Sequence, residues 1–405
     1  METKNEKNSL LAGVKVLDLA DEKASFCSKL LADMGARVIK VENPGGDRSR
    51  KMGPFWENGS HSERSLSFLY NNTNKLGVTL NLEHPDGRDI FFRMVKKNDV
   101  LVETFPPGYL EKLGLGFEAL SELNPGLIQA SVTGFGQNGP KRDYKSCDLV
   151  ASGFGGQMYV TGSTSLPPLK HYGEQSYVAA SLFAAVGILL AMRNRRNTGE
   201  GRHIDISLQE AVTSTLEHVM IKYFYEQVIP QRDGSLHWNH LFFILPCKDG
   251  SIQMSLSQGW ETLVEWIADE GMAEDLNDKK WRMEEYRHRH VDHIIEVLER
   301  WTRTHTTNEL FELGQLMRLP LAPVHSPGKV LGSPQLKERG FFIPIEHSEW
   351  NTLLKYPGLP FQFGSALHTP YKRAPLIGEN NAQIYKKELG LSETELRRLS
   401  SLKII

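Results

Sequence analysis

The sequence predicts an α/β fold whose larger part is built on a doubly wound parallel sheet. Short apolar segments of β type alternate with amphipathic segments of about 10–15 residues, the pattern of parallel βαβ units. The composition, 40% apolar and 24% charged, is that of a globular protein. A length of 405 residues exceeds one ordinary core, so two domains are expected.

Five segments read as strands of this sheet because β-branched and other apolar residues dominate them. They are residues 14–19, 37–42, 77–82, 99–103 and 127–132. Residues 204–208 follow a turn and lead into a helix from Gln209. The helix after the first strand places Phe26, Leu30 and Met34 at helical spacing and stops at Gly35. Pro85 marks the first turn of the helix that follows the third strand.

The longest apolar run, residues 177–192, predicts a buried helix rather than a membrane span. It is shorter than the roughly 20 residues that cross a bilayer, and it contains Ser181 and Gly187. We therefore expect a core helix over about 179–193.

The character of the chain changes near residue 226. A hairpin turn is expected at Cys247–Gly250, and Thr306 with Glu309 forms a capping-box pattern at a helix start. We predict a large domain from residues 1–225 plus 331–405, and a smaller inserted α+β domain from residues 226–330.

Charge and cysteine content exclude several classes of function. Forty-seven basic and 49 acidic residues give a net charge of −2, so neither a nucleic-acid nor a membrane partner is expected. The cysteines Cys27, Cys147 and Cys247 are far apart, which fits a cytoplasmic protein without a disulfide scaffold. His288, His290 and His293 are interleaved with arginines, whose charge disfavours a metal, so no metal site is expected.

Glu174 is the carboxylate that stands out from the residues alone. It follows Gly173 and directly precedes the apolar helix, where the positive end of the helix dipole stabilises an anion. A functional acid and an ordinary helix-capping acid remain equally open at this point.

Several segments, in order and spacing, resemble one family over nearly the whole chain. They are Leu31–Glu42, Val102–Gly108, Ser131–Pro140, Thr198–Arg202 and Asp205–Ala211. In these the sequence is similar to the class III CoA-transferases, which include the formyl-CoA and carnitine CoA-transferases and the α-methylacyl-CoA racemases.

The resemblance implies a large Rossmann-like α/β domain built from both chain ends with a small domain between them, an interlocked dimer, and covalent catalysis. In the transferases an aspartate attacks the acyl-CoA thioester and forms a mixed anhydride, releasing CoA thiolate. The thiolate then attacks the anhydride to give an aspartyl-CoA thioester, and the acceptor acid reverses these steps. Coenzyme A and acyl-CoA are therefore expected as substrates, with no covalently bound cofactor.

Transferred residue by residue, the resemblance places Glu174 at the nucleophilic aspartate. Phe105, Lys112 and Lys145 match expected CoA-binding positions. Three further CoA-binding positions diverge, because Glu22 or Lys23 replaces a small or amide side chain and Asn43 and Glu83 replace cations. Cys147 stands where the racemases carry their catalytic histidine, and Ser255–Trp260 replaces the glycine-rich loop that closes over the nucleophile.

These departures leave three hypotheses. The chain is the non-nucleophilic subunit of a two-chain enzyme, for instance one moving CoA from succinyl-CoA to an aryl- or alkylsuccinate, whose partner carries the aspartate. It is a homo-oligomeric transferase that uses Glu174. Or it is a binding or regulatory protein without the chemistry. The first is favoured, because acids at CoA-binding positions repel a polyanion.

Overall fold

The computed structural model describes residues 9–58, 63–234, 236, 242–256, 258–363 and 371–405. The chain forms two compact units. The first comprises Met1–Gln157, Lys170–Glu217 and Glu338–Ile405, and the second Met158–Leu169 and His218–Lys337. The predicted large domain included residues 158–169, which here group with the second unit. The predicted domain division at 226 and 331 stays a prediction.

The first unit is built on a six-stranded parallel sheet in the order β3-β2-β1-β4-β5-β6. Its strands are β1 (Lys15–Leu19), β2 (Arg37–Glu42), β3 (Lys75–Thr79), β4 (Val100–Glu103), β5 (Ile128–Thr133) and β6 (His203–Ser207). The strand order reverses between β1 and β4, which makes this the switch point of a doubly wound sheet. The predicted α/β fold is confirmed.

Strand β3 begins and ends earlier than the predicted 77–82. The Leu80 N–H still donates to the Glu42 carbonyl of β2 at 2.6 Å, but the N–H of Asn81 donates to the carbonyl of Ile404 at 2.7 Å. The carboxyl terminus of the chain therefore ends the strand.

Between residues 9 and 216, leaving out 59–62, the structure describes eight helices of the first unit. They are α1 (Ser25–Asp33), α2 (Leu66–Asn71), α3 (Pro85–Val95), α4 (Tyr109–Lys112), α5 (Phe117–Leu123), α6 (Asp148–Phe154), α7 (Gln175–Thr198) and α8 (Leu208–Ser214). Helix α3 starts at the predicted proline, and the Nδ1 atom of His84 accepts the Asp86 N–H at its first turn.

Helix α7 is the predicted apolar helix, extended at both ends. By length and composition alone it could cross a membrane, with a mean hydropathy of 1.7 over 18 residues. One face, rich in small residues such as Ala180, Ala184 and Ala191, is buried against α1, α8, β5 and β6. The predicted core helix is therefore confirmed, and Gly199, with φ of 75°, ends it.

In its described residues the second unit contains seven helices and a three-stranded antiparallel sheet in the order β7-β8-β9. The strands are β7 (Phe242–Cys247), β8 (Gly250–Ser255) and β9 (Leu321–Pro323). The helices are α9 (Glu217–Glu226), α10 (Trp260–Asp269), α11 (Glu284–Arg289), α12 (Val291–Thr302), α13 (Thr307–Leu316), α14 (Pro327–Leu331) and α15 (Pro334–Glu338). The hairpin turn before Gly250 and the capping box of Thr306 and Glu309 are both confirmed.

The carboxyl-terminal segment returns to the first unit. It forms a hairpin of β10 (Phe342–His347) and β11 (Thr352–Pro357), a π-helix at Ala382–Glu388, and α16 (Glu393–Ser401). The side-chain oxygens of Asn380 and Asn381 accept the backbone N–H groups of Gly77 and Thr79, at 2.8 and 2.9 Å. The carboxyl-terminal segment thus supplies hydrogen-bond acceptors to the edge strand β3 of the six-stranded sheet.

Candidate active site

The candidate site lies where β1 and β4 end side by side, the edge at which open parallel sheets bind ligands. The loops after these strands are bonded to each other. The Asp21 N–H donates to Thr104 Oγ1 at 2.9 Å, and the Thr104 hydroxyl donates to Asp21 Oδ1 at 2.8 Å. The loop that carries Asp21 and Glu22 is therefore held against the end of β4.

Two buried lysines, Lys40 and Lys75, stabilise the same loop through hydrogen bonds to the Ala20 carbonyl and to Asp18. Asp18 Oδ1 accepts the Ala20 N–H at 2.9 Å, and Lys75 Nζ donates to Asp18 Oδ2 at 2.8 Å. Lys40 Nζ donates to the Ala20 carbonyl. Complete burial lowers the pKa of Lys75 to about 8, although Asp18 opposes the shift. The loop is rigid because both polar groups of Ala20 are bonded to buried side chains.

Glu22 lies in this loop and is only 5% exposed. Its Oε1 is 3.4 Å from Arg48 Nη2, whereas its buried Oε2 has no hydrogen-bond partner among the described residues. Burial, followed by the charge of Asp21, raises the pKa of Glu22. A carboxylate stands here where the family resemblance predicts a neutral side chain.

Glu174 occupies the N-cap position of α7 but does not cap it. In the described part of the chain, no hydrogen bond or ion pair reaches its half-buried carboxylate. Burial, then the charges of Asp148 and Glu22, raise the pKa of Glu174, and Lys170 opposes them. The capping role left open by the sequence is therefore not the role of this side chain.

Asp148 caps the helix instead. Its Oδ1 accepts the Ser176 N–H at 3.0 Å and the Ser176 hydroxyl at 2.7 Å. Lys170 Nζ donates to Asp148 Oδ2 at 2.6 Å and also to the carbonyl of Gly173. Lys170 and Asp148 together fix the turn that presents Glu174.

Phe105 and Glu83 meet through Tyr109. The Phe105 and Tyr109 rings stack with centroids 4.7 Å apart, and the Tyr109 hydroxyl donates to Glu83 Oε1 at 3.2 Å. The Phe105 N–H donates to Glu103 Oε2 at 2.8 Å. An acid therefore borders the aromatic pair at the end of β4.

The remaining predicted CoA-binding residues, Asn43, Lys112 and Lys145, are exposed. Asn43 follows β2 and Lys112 ends α4, whereas Lys145 precedes α6. No hydrogen bond or ion pair within the described ranges joins any of them to Glu174 or Phe105. The structure thus brings Glu22 near Glu174, and Glu83 near Phe105.

Sequence reasoning did not single out Lys170 or Glu103. Lys170 lies in an irregular segment without a pattern, and Glu103 reads as the last residue of a strand.

In the second unit, His293 Nε2 bonds to Asp275 Oδ1 at 2.6 Å. Across the described ranges no group of three or more His, Cys, Asp or Glu could hold a metal ion. Ser257, in the segment that replaces the closing loop, lies outside the described residues.

Comparisons with known proteins extend over almost the whole chain. Residues 11–381 match the profile of CoA-transferase family III. The sequence is 34% identical to succinyl-CoA:(R)-benzylsuccinate CoA-transferase subunit BbsE of Thauera aromatica, over 91% of this chain and 92% of that protein. It is 31% identical to the succinyl-CoA–L-malate CoA-transferase beta subunit of Chloroflexus aurantiacus, over 98% of each.

A solved structure shows the same architecture. The crystal structure of a CAIB/BAIF family protein from Brucella suis superposes with a TM-score of 0.85 at 28% identity. The match covers 94% of this chain and 99% of that one.

Proposed function

The chain belongs to CoA-transferase family III, and we propose that it is the non-nucleophilic subunit of a two-chain enzyme whose partner carries the catalytic aspartate. Membership makes it a transferase that moves CoA between an acyl-CoA and a carboxylic acid. The proposal concerns how this chain takes part in that reaction.

The observation that carries the proposal is the acidic environment of Glu174. A nucleophilic carboxylate must be ionised and must meet a thioester attached to a polyanion. Burial and the neighbouring Asp148 and Glu22 both disfavour ionisation of Glu174. Glu22 also adds an almost fully buried acid to the path of an anionic ligand.

The names of two relatives support a two-chain assembly and a succinyl-CoA donor. Both the Thauera and the Chloroflexus proteins are named as subunits, and both names include succinyl-CoA. We extend this to a succinyl-CoA donor and a substituted succinate or related dicarboxylic acid as the acceptor of this enzyme.

Exposed apolar faces support an interlocked assembly with a related chain. In the first unit, α7 exposes Phe183, Val186 and Leu190 at 47, 54 and 60%. In the second unit none of the residues of α9 is buried, and Phe224 and Tyr225 are 62 and 85% exposed. Contiguous apolar surface of this kind marks protein interfaces.

One observation favours the alternative, a homo-oligomeric enzyme that uses Glu174. Because Asp148 caps α7, the Glu174 carboxylate is free of structural bonds and lies at the positive end of the helix dipole. A carboxylate without structural bonds is available to act as a nucleophile.

Expression of the chain alone and with a paralogous chain tests the proposal. The paralogue must carry aspartate at the position of Glu174. CoA exchange from succinyl-CoA to a labelled dicarboxylic acid is then followed by mass spectrometry. We expect activity only from the co-purified pair, and its loss when the partner's aspartate becomes asparagine. Full activity of this chain alone would contradict the proposal.

A further inference from the structure

Glu103 is a buried carboxyl at the candidate site. The CoA-transfer reaction, as described above, assigns no role to it. It is the last residue of β4 and is 3% exposed. Its Oε2 accepts the backbone N–H of Phe105 at 2.8 Å. The carboxyl therefore fixes the start of the loop that carries the Phe105 ring.

A chain of side chains connects this carboxyl with the surface. Ser131 lies opposite Glu103 on the neighbouring strand β5, so its hydroxyl and the carboxyl lie on the same face of the sheet. The same Ser131 Oγ is 2.8 Å from Nε2 of His203 on β6. The imidazole of His203 is exposed and stacks on Phe117 with ring centroids 5.4 Å apart. The three side chains thus run from the end of β4 across two strands to solvent.

We propose that Glu103 is a positioning residue for Phe105 and that Ser131 and His203 carry protons between Glu103 and solvent. In the transfer, a His203 imidazolium gives its Nε2 proton to the Ser131 oxygen. Ser131 releases its own proton to the Glu103 carboxylate. The products are a neutral imidazole, an unchanged serine and a neutral carboxylic acid.

The surrounding charges allow this carboxyl to change its protonation near neutral pH. Burial raises the pKa of Glu103 to about 7, and the charges of Glu111 on α4 and Asp21 after β1 add to the increase. The Ser131 hydroxyl and the Phe105 N–H oppose this increase in the pKa of Glu103. Burial lowers the pKa of His203, while Asp205 and Glu111 oppose that shift.

Protonation changes how firmly Phe105 is held. A hydrogen bond to a carboxylate is roughly twice as strong as one to a neutral acceptor. The Phe105 N–H is therefore held tightly when Glu103 is ionised and more loosely when it is protonated. What Phe105 contributes to CoA binding rests on the proposed function, whereas the titration of its amide does not.

The amide resonance of Phe105 provides a direct test. The full-length chain in its native assembly is labelled with 15N-phenylalanine, and the resonance is assigned with Phe105→Leu. Between about pH 5 and pH 9 we expect a downfield shift with a midpoint near the pKa of about 7. Glu103→Gln keeps an acceptor for the N–H but cannot ionise, so the shift should disappear. Glu122→Gln, on the exposed end of α5, is the matched control and should leave the shift unchanged.

Two further variants test the proton path. Ser131→Ala removes the donor that favours the ionised form, so we expect the midpoint to rise. His203→Asn should slow the exchange of the proton, seen as broadening of the Phe105 resonance through its midpoint. An amide that does not titrate in the wild-type chain, or titrates equally in Glu103→Gln, would overturn the positioning role. An unchanged midpoint in Ser131→Ala, with unchanged line width in His203→Asn, would overturn the proton path.

A CoA titration of this chain without a partner, beside the amide titration, separates this inference from the proposed function. If CoA binds tightly while the Phe105 amide titrates as expected, the proposed function fails and the positioning role of Glu103 stands. If CoA binds weakly and the amide does not titrate, the positioning role fails alone.

Discussion

Asp148 caps helix α7 through Ser176, with its Oδ1 accepting the Ser176 N–H at 3.0 Å and the hydroxyl at 2.7 Å. The N–H of Asp148 in turn donates to the hydroxyl of Tyr177 at 3.0 Å. Since Asp148 of α6 supplies the cap, the Glu174 side chain at the N-cap position makes no capping hydrogen bond. The same arrangement ties the ends of two helices together at the candidate site.

The first prediction concerns this cap. Asp148→Ala removes the acceptor for Ser176 and leaves Lys170 without its ion-pair partner, so it should lower the free energy of unfolding. Loss of an N-cap alone costs about 1 kcal/mol, and up to about 2 kcal/mol in proteins. Asp148→Asn keeps an oxygen for Ser176 and should lose less. Urea unfolding measures both, and an equal loss in the two variants would contradict the capping role.

The sheet could be predicted from the sequence because each of its strands has its own apolar pattern. Strand β2, Arg37–Glu42, has the predicted bounds, and the others differ by at most a few residues. The error at β3 came from a contact that no local pattern contains, the bond between Asn81 and Ile404 at the far end of the chain. Local pattern identifies a strand, whereas a distant partner decides where it ends.

The candidate site was less predictable than the fold. Glu174 was recognisable because it directly precedes an apolar helix, but Lys170 lies in a segment without periodicity and is defined only by its bonds to Asp148 and Gly173. Exposure was equally hard to predict. Phe243 is 1% exposed in the core of the second unit, because the alternation of β7 turns this residue inward. Phe224 and Tyr225 on α9 are 62 and 85% exposed, and aromatic composition alone does not separate the two cases.

The second prediction concerns pH and Glu103. Its folded pKa of about 7 lies above the ordinary value of 4.5, so the folded chain binds this proton more strongly than the unfolded chain. Stability from this group therefore falls as pH rises from about 4.5 through about 7. At about 1.4 kcal/mol per pKa unit, the full effect is on the order of 3 kcal/mol. Glu103→Gln should gain stability relative to the wild type by up to this amount between pH 5 and pH 8.

Denaturant unfolding at a fixed protein concentration measures the difference at each pH. Glu122→Gln, an exposed glutamate on α5, serves as the control and should follow the wild type at every pH. A difference between Glu103→Gln and the wild type that stays constant over this range would contradict a buried carboxyl that titrates near neutrality.

The third prediction concerns CoA. With Glu22 at the switch point and Glu83 bonded to Tyr109, the isolated chain should bind CoA weakly. Glu83→Lys combined with Asn43→Arg adds positive charge at two exposed positions. Calorimetry should show binding stronger by on the order of tenfold at low salt, and a smaller gain at higher salt because of screening.

A matched pair of substitutions controls for total charge. Glu296→Lys with Asn308→Arg makes the same change at exposed positions of the second unit. It should leave CoA affinity nearly unchanged. Tight binding of CoA to the unmodified isolated chain would contradict the prediction that its CoA site is weak.

The fourth prediction concerns assembly. The α9 side chains Phe224 and Tyr225 are largely exposed, a costly arrangement in an isolated chain. We expect a dimer or a higher assembly, formed with a related chain where one is present. Light scattering at low micromolar concentration should detect it, and Phe224→Asp with Tyr225→Asp should weaken it. A stable monodisperse monomer of the wild-type chain would refute this expectation.

The last prediction concerns Glu174, because its role distinguishes a homo-oligomeric enzyme from the non-nucleophilic subunit of a two-chain enzyme. If Glu174 were the nucleophile, acyl-CoA would form an anhydride or thioester on its side chain. Hydroxylamine would convert either adduct into a hydroxamate, detectable by mass spectrometry on the peptide that contains Gly173 and Glu174. We expect no hydroxamate there, and we expect Glu174→Gln to reduce the activity of the assembled enzyme by less than about twofold.

The physical reason is that a carboxylate needs both ionisation and a positioned thioester. Misplacement by about 1 Å can cost on the order of 100-fold in rate, and the longer glutamate side chain shifts the attacking oxygen by more than that. Burial and the charges of Asp148 and Glu22 also favour the protonated, non-nucleophilic form. Glu296→Gln, an exposed substitution in the second unit, controls for loss of assembly. A hydroxamate on Glu174, or activity lost in Glu174→Gln while the assembly stays intact, would establish the homo-oligomeric enzyme instead.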